Sequence, residues 1–148
     1  MAQFQIEHSV AIERPAETVF QYVIDVTKQH EWRPDIDGVE DYSGEPITVG
    51  TSWREISKFM GREMSVDFSI TDLDEGRRAD LRMDGGSVTG NMVWAVSPDS
   101  DESSTFTLSF DGEVTGWLGR LGTGMIRRQA DKDMTGDLAR LKEKLESS

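Results

Sequence analysis

The 148-residue chain contains no cysteine. Disulfide scaffolds, cysteine-ligated zinc sites and thiol nucleophiles are therefore excluded, and a reducing, cytoplasmic setting is expected. Positive charge is scarce as well. Lys plus Arg number 16 against 28 Asp plus Glu, a formal net charge of -12. A field of that sign repels phosphate backbones and anionic membrane surfaces, so nucleic acid is not an expected partner. The two histidines, His8 and His30, have no ligand at i+4 and no H-E-x-x-H context, so no metal is expected, and no cofactor. No run approaches the ~20 apolar residues of a membrane span, which excludes integral membrane association. The first residues lack the basic-then-apolar pattern of a signal peptide.

What the chain does have is patterning suited to one globular domain over residues 1–148. A chain of this length buries about 70% of the surface its unfolded form exposes. Phe4, Ile6, His8, Val10 and Ile12 alternate with polar or small residues, which predicts a half-buried strand. Arg14-Pro15 ends it, and Val19, Phe20, Val23 and Ile24 then form a helical stripe. Thr27 is placed to cap a short second helix that Pro34 terminates. From Ile36 to Val114, turn signals separate about six strands. After Gly116 the period becomes helical, with Leu118, Leu121, Met125, Met134, Leu138, Leu141 and Leu145 at 3–4 spacing, predicting one terminal helix from about Trp117 to Leu145. Without strand–helix–strand alternation, a parallel doubly wound sheet is not expected. The class is α+β: a curved antiparallel sheet of about seven strands on a long C-terminal helix, with two short helices after the first strand.

Residues 10–25, from Val10-Ala11-Ile12-Glu13-Arg14-Pro15 through Val19-Phe20 to Asp25, are followed by Glu31-Trp32-Arg33-Pro34. This opening resembles that of START-like (SRPBCC) proteins, and more narrowly the polyketide cyclase/dehydrase and lipid-transport branch. Gly50-Thr51, the Gly61-Arg62-Glu63 turn and the final Leu141-Lys142-Glu143-Lys144-Leu145-Glu146 fit the same pattern. The resemblance spans essentially the whole chain. It implies a helix-grip fold whose sheet and terminal helix enclose a pocket for an apolar or amphipathic ligand.

The residues expected in such a pocket come from the inward alternation of successive strands. They are Trp53, Phe68, Met83, Met92 and Trp94, followed by Phe106, Leu108 and Phe110. Any one of these is more often plain core than ligand contact; collectively they face one helix across a concave sheet. Trp117, Leu118, Leu121 and Met125 are expected at the pocket mouth, beside glycines 116, 119, 122 and 124, whose missing side chains leave room. The spacing of those glycines matches no phosphate-binding motif. If Met60-Gly61 is a two-residue hairpin loop, Glu55 faces Val66 and Trp53 faces Phe68, which turns Glu55 inward. A buried carboxylate must pair or stay protonated. The structural reading pairs Glu55 with an arginine such as Arg62 or Arg82; the functional one makes it a polar anchor or general acid/base. His8, on the apolar face of the first strand, is the other acid–base candidate, though a hydrogen-bonded core histidine is the commoner outcome.

The expected function is a binding or carrier protein for a hydrophobic small molecule, such as a lipid, polyketide or isoprenoid. The alternative is a cyclase or dehydratase using Glu55 or His8 in proton transfer. A groove that serves a protein partner is a third reading, and the oligomeric state is left open.

Overall fold

The computed structural model describes residues 2–147. Strand β1 (Ala2–Ile12) buries Phe4, Ile6 and Ile12 and turns Gln3, Gln5 and Glu7 to solvent. Helix α1 (Ala16–Ile24) starts after Pro15 and buries Ala16, Val19, Phe20, Val23 and Ile24. A 3₁₀ helix, Val26–Glu31, follows. Its cap is Asp25 rather than Thr27: the Asp25 carboxylate accepts from the Thr27 N–H at 3.1 Å and from the Thr27 hydroxyl at 2.6 Å. The 3₁₀ helix thus begins before Thr27, whose own N–H is one of the orphan donors that the carboxylate two residues earlier takes up.

Six further strands complete the sheet: β2 (Ile36–Glu40), β3 (Ser52–Phe59), β4 (Arg62–Asp74), β5 (Arg78–Asp84), β6 (Val88–Pro98) and β7 (Ser104–Val114). Their order is β1-β7-β6-β5-β4-β3-β2, with every neighbouring pair antiparallel. The β3–β4 hairpin closes through Met60 and Gly61 at φ +53° and +79°, both left-handed, as a two-residue turn matched to strand twist requires. Its register sets Phe59 against Arg62, Glu55 against Val66 and Trp53 against Phe68, as the alternation predicts. Curvature has a local cause where Gly90 stands opposite Gly112. A Cβ on Gly90 would overlap the Asp111 carbonyl, and one on Gly112 would overlap that of Thr89. Only paired glycines let the two backbones approach and bend there.

The terminal helix is two helices, α2 (Gly116–Leu121) and α3 (Thr123–Glu146). The expected single helix breaks at Gly122, whose φ of +83° is outside helical space. Helix α3 lies along β1 and buries Ile126, Ala130, Leu138, Leu141 and Leu145. This is the helix-grip arrangement. Among the described residues no helix is long and apolar enough to cross a membrane.

Buried residues form two clusters. One gathers α1, Trp32, Trp53, Phe68, Trp94, Phe106 and the last half of α3. The other gathers Phe4, Ile6, Val88, Phe110, Val114, Leu118, Ile126 and Ala130. Met64, Met83, Met92 and Met134 pack against both clusters. The space those methionines border is not filled.

Candidate functional site

A cavity of about 190 Å³ opens between the sheet and α3. Its apolar wall comes from Phe4 and Ile6 of β1, Val88 of β6, Phe110 and Val114 of β7, Leu118 of α2 and Ile126 of α3. Each is buried, so this end is closed. The four methionines, with Val66, Phe68, Trp94 and Leu108, form its middle. The polar end carries Arg33, Asp35, Glu55, Ser57, Lys58, Asp133 and Asp137. Asp35 and Lys58 are solvent-exposed, which puts the opening on this side.

Glu55 is 3% exposed and is held end-on by Arg33, with Nη1 donating to Oε1 at 2.8 Å and Nη2 to Oε2 at 3.0 Å. Arg33 Nη1 also donates to Oε1 of buried Gln29 at 2.9 Å, and Gln29 Nε2 donates to the Val23 carbonyl at 3.3 Å. Burial works against the guanidinium charge, but the Glu55 carboxylate outweighs it and raises the Arg33 pKa. The guanidinium therefore keeps its charge in this buried setting. Arg62 and Arg82, the expected partners of Glu55, lie elsewhere. Arg62 is exposed and stacks its guanidinium 4.4 Å from the Trp117 ring centroid. Arg82 alternates with inward Leu81 and Met83 and so faces solvent. A guanidinium has five N–H donors, and Arg33 uses three of them in these bonds. Its Nε–H and one Nη2 hydrogen have no acceptor among the described residues.

Asp137 borders the cavity with its side chain 16% exposed, and accepts from Arg140 Nη2 at 2.6 Å. Burial pushes its carboxyl up, against the opposing pull of Arg33 and Arg140. Asp133 is pushed up by burial too, although the Gln129 amide bonded at 2.9 Å pulls it back. Two buried donors are unmatched among the described residues, the Nε1–H groups of Trp32 and Trp94, and of these two residues only Trp94 borders the cavity. An unsatisfied buried donor costs about 1–3 kcal/mol.

Of the residues expected in the pocket, Glu55, Phe68, Met83, Met92, Trp94, Leu108 and Phe110 border this cavity. Trp53 does not; it stacks between Phe68 and Trp94, with ring centroids 5.5 and 6.2 Å away. Phe106 is fully buried, edge-on to Trp32. Trp117 and Leu121 pack on the outer side of the second cluster, and Met125 is 49% exposed. The glycines of residues 116–124 do not border the cavity; those at 116 and 122 have positive φ and make the bends around α2. His8 is outside the cavity, its Nε2 2.8 Å from Asp131 Oδ1 on α3. Sequence reasoning missed Arg33, Asp133 and Asp137. Arg33 carried one signal, its place within the Glu31-Trp32-Arg33-Pro34 segment on which the family resemblance rests. Among the described residues no three His, Asp or Glu side chains converge to hold a metal.

A seven-stranded antiparallel sheet gripping a C-terminal helix over an amphipathic cavity is a START-like, helix-grip fold. The chain belongs to the polyketide cyclase / dehydrase and lipid transport family, whose model matches residues 3–146. It is similar in fold to the Zhui aromatase/cyclase from Streptomyces sp. R1128, at 18% identity and a TM-score of 0.79, covering 97% of this chain and 93% of that one. A START superfamily protein from Mycobacterium smegmatis gives 17% identity and a TM-score of 0.78, covering 97% of both chains. A Thermus thermophilus protein gives 17% and 0.80, covering 95% of both. At these identities the likeness is one of fold alone. No curated protein matches the chain in sequence.

Proposed function

We propose that the chain binds a small, mostly apolar molecule carrying a hydrogen-bond acceptor, within one START-like domain. The observation that carries this reading is the cavity's division into a closed apolar end and an open end lined by Arg33 and Glu55. The family description, which covers both cyclases and lipid transport, supports a ligand of this general kind. Volume narrows the choice. Drug-sized ligands take roughly 300–1,000 Å³, and a cavity of about 150 Å³ holds one benzene. At about 190 Å³ the site suits a single ring or a short chain, and larger ligands require the flexible methionines to move. The two unused N–H groups of Arg33 are donors for the ligand's oxygen.

Titration calorimetry with single-ring aromatic acids, their neutral analogues, and medium- and long-chain fatty acids tests this. Saturable binding of the single-ring compounds, strongest for those with an oxygen acceptor, is expected. No binding by the folded protein overturns the reading.

A proton-transfer reading, in the sense of a cyclase or dehydratase, is favoured by one specific observation. Asp137 borders the cavity with a pKa raised by burial, as suits a general acid or base. Glu55 is a poorer base because both its oxygens are committed to Arg33. Turnover of a bound polyketide-like substrate that is lost in Asp137→Asn, with binding intact, would favour catalysis.

A further inference from the structure

The net charge conceals an uneven distribution. The longest stretch without a carboxylate, residues 114–130, forms α2 and the start of α3, and it carries Arg120, Arg127 and Arg128. All three are exposed, as is Arg62 of the neighbouring β3–β4 hairpin. Among the described residues none of these four guanidiniums has a carboxylate within 4 Å, whereas Arg33, Arg54, Arg78 and Arg140 all do.

The same end is unusually apolar outside. Met60 at the hairpin tip is 42% exposed and Met125 on the first turns of α3 is 49% exposed. They are two of the three large hydrophobic residues that are exposed among the described residues. Trp117 is only partly buried, under the Arg62 guanidinium. Arginines flanking exposed methionine and tryptophan match the headgroup boundary of a bilayer, where guanidiniums meet phosphates and apolar side chains enter the acyl region. Repulsion from the chain's remaining acidic groups is screened beyond about 8–10 Å at physiological salt, so the local field decides.

We propose that this end, comprising α2, the start of α3 and the β3–β4 hairpin tip, docks peripherally on an anionic lipid surface. The expectation drawn from net charge alone is thereby reversed at one pole of the molecule. Leu118 and Ile126, on the inner side of the same two helices, wall the closed end of the cavity. Docking does not depend on the cavity having a ligand, and its test needs none.

The experiment is co-sedimentation of the full chain with phosphatidylcholine vesicles, with and without phosphatidylglycerol. Binding only to the anionic vesicles, falling as salt rises, is expected. Each arginine near the surface is worth about fivefold, so the double variant Arg120→Gln/Arg128→Gln should bind roughly thirtyfold more weakly. Met125→Ser should weaken binding without changing its salt dependence. The matched double variant Lys28→Gln/Arg77→Gln, at exposed sites elsewhere, should bind as the parent does. Circular dichroism melts check that each variant is folded. Failure of the parent to bind, equal binding to neutral vesicles, or equal loss in both double variants overturns the proposal. So does capture of a soluble acidic protein with no vesicle binding, which would assign a protein partner instead.

Discussion

The two ends of the molecule share strands β1, β6 and β7, yet they pack differently. Around α1, Val19, Ala79, Leu81, Phe106, Trp32 and Leu141 are all 0% exposed. Around α2, every member of the second cluster except Val114 is 3–9% exposed, and the cavity lies beside it. The cause is what each end lays against the sheet. Helix α1 offers five buried side chains from nine residues. Helix α2 has six residues, buries only Leu118, and is set between glycines at positive φ. A short helix presenting one apolar side chain cannot fill a concave sheet, and the methionines between the clusters close the gap only in part.

The sharpest way to break this comparison is to truncate one leucine at each end. Leu141→Ala, in the filled end, should cost about 2–5 kcal/mol, from lost transfer energy plus a new cavity. Leu118→Ala should cost at least about 1 kcal/mol less, because Leu118 already faces space and forfeits fewer contacts. Urea midpoints measure both; equal losses would mean that the two ends are equally well packed.

Next in size is Glu55→Gln. It leaves the Arg33 charge, with its side chain 23% exposed, facing a neutral amide. Breaking a buried pair costs about 3–5 kcal/mol, and partial solvent access should reduce this to roughly 2 kcal/mol. If ligand binding is unchanged at this cost in stability, Glu55 only holds Arg33 in place. If binding weakens out of proportion to stability, the pair is part of the site.

Asp137→Asn should act in the opposite direction at neutral pH. A carboxyl whose folded pKa is raised binds its proton more tightly folded than unfolded. Its ionisation therefore penalises folding fully above the raised folded value, and the penalty disappears as pH falls through the window down to the unfolded value near 3.8. The Asn variant should match or exceed the parent in stability at pH 7 and should lose that part of the pH dependence. Denaturant melts across the acid range test it; a clear loss at pH 7 would show that the ion pair with Arg140 dominates.

The smallest effect belongs to the middle of the molecule. Met83→Leu or Met92→Leu roughly conserves volume and should change stability by under about 1.5 kcal/mol. The range of ligand sizes bound should narrow, because leucine adapts its shape less well than methionine. Calorimetry over a graded ligand series measures this.

Much of the architecture was legible from local pattern. The two-residue Met60-Gly61 turn placed Glu55 opposite Val66 without any tertiary knowledge, because side chains alternate strictly along paired strands. The burial of Leu138 and Leu141 followed from helical spacing. The helix break was not legible, since Gly119, Gly122 and Gly124 are equivalent in sequence and only one adopts the left-handed φ that ends α2.

The division between sequence and tertiary structure is clearest at the site. Periodicity and turn chemistry are short-range, and they determined the strands, the helices and which faces turn inward, including that of Glu55. The partner of Glu55 was decided elsewhere, because Arg33 lies 22 residues away, and only the folding of β3 against the segment after the 3₁₀ helix brings the two within 2.8 Å. The same holds for the cavity. Trp53 and Trp94 both point inward by alternation, yet one is sealed in a ring stack while the other borders open space. Alternation specifies a direction, whereas a void depends on how much side-chain volume arrives from every element around it, and that sum exists only in the folded chain.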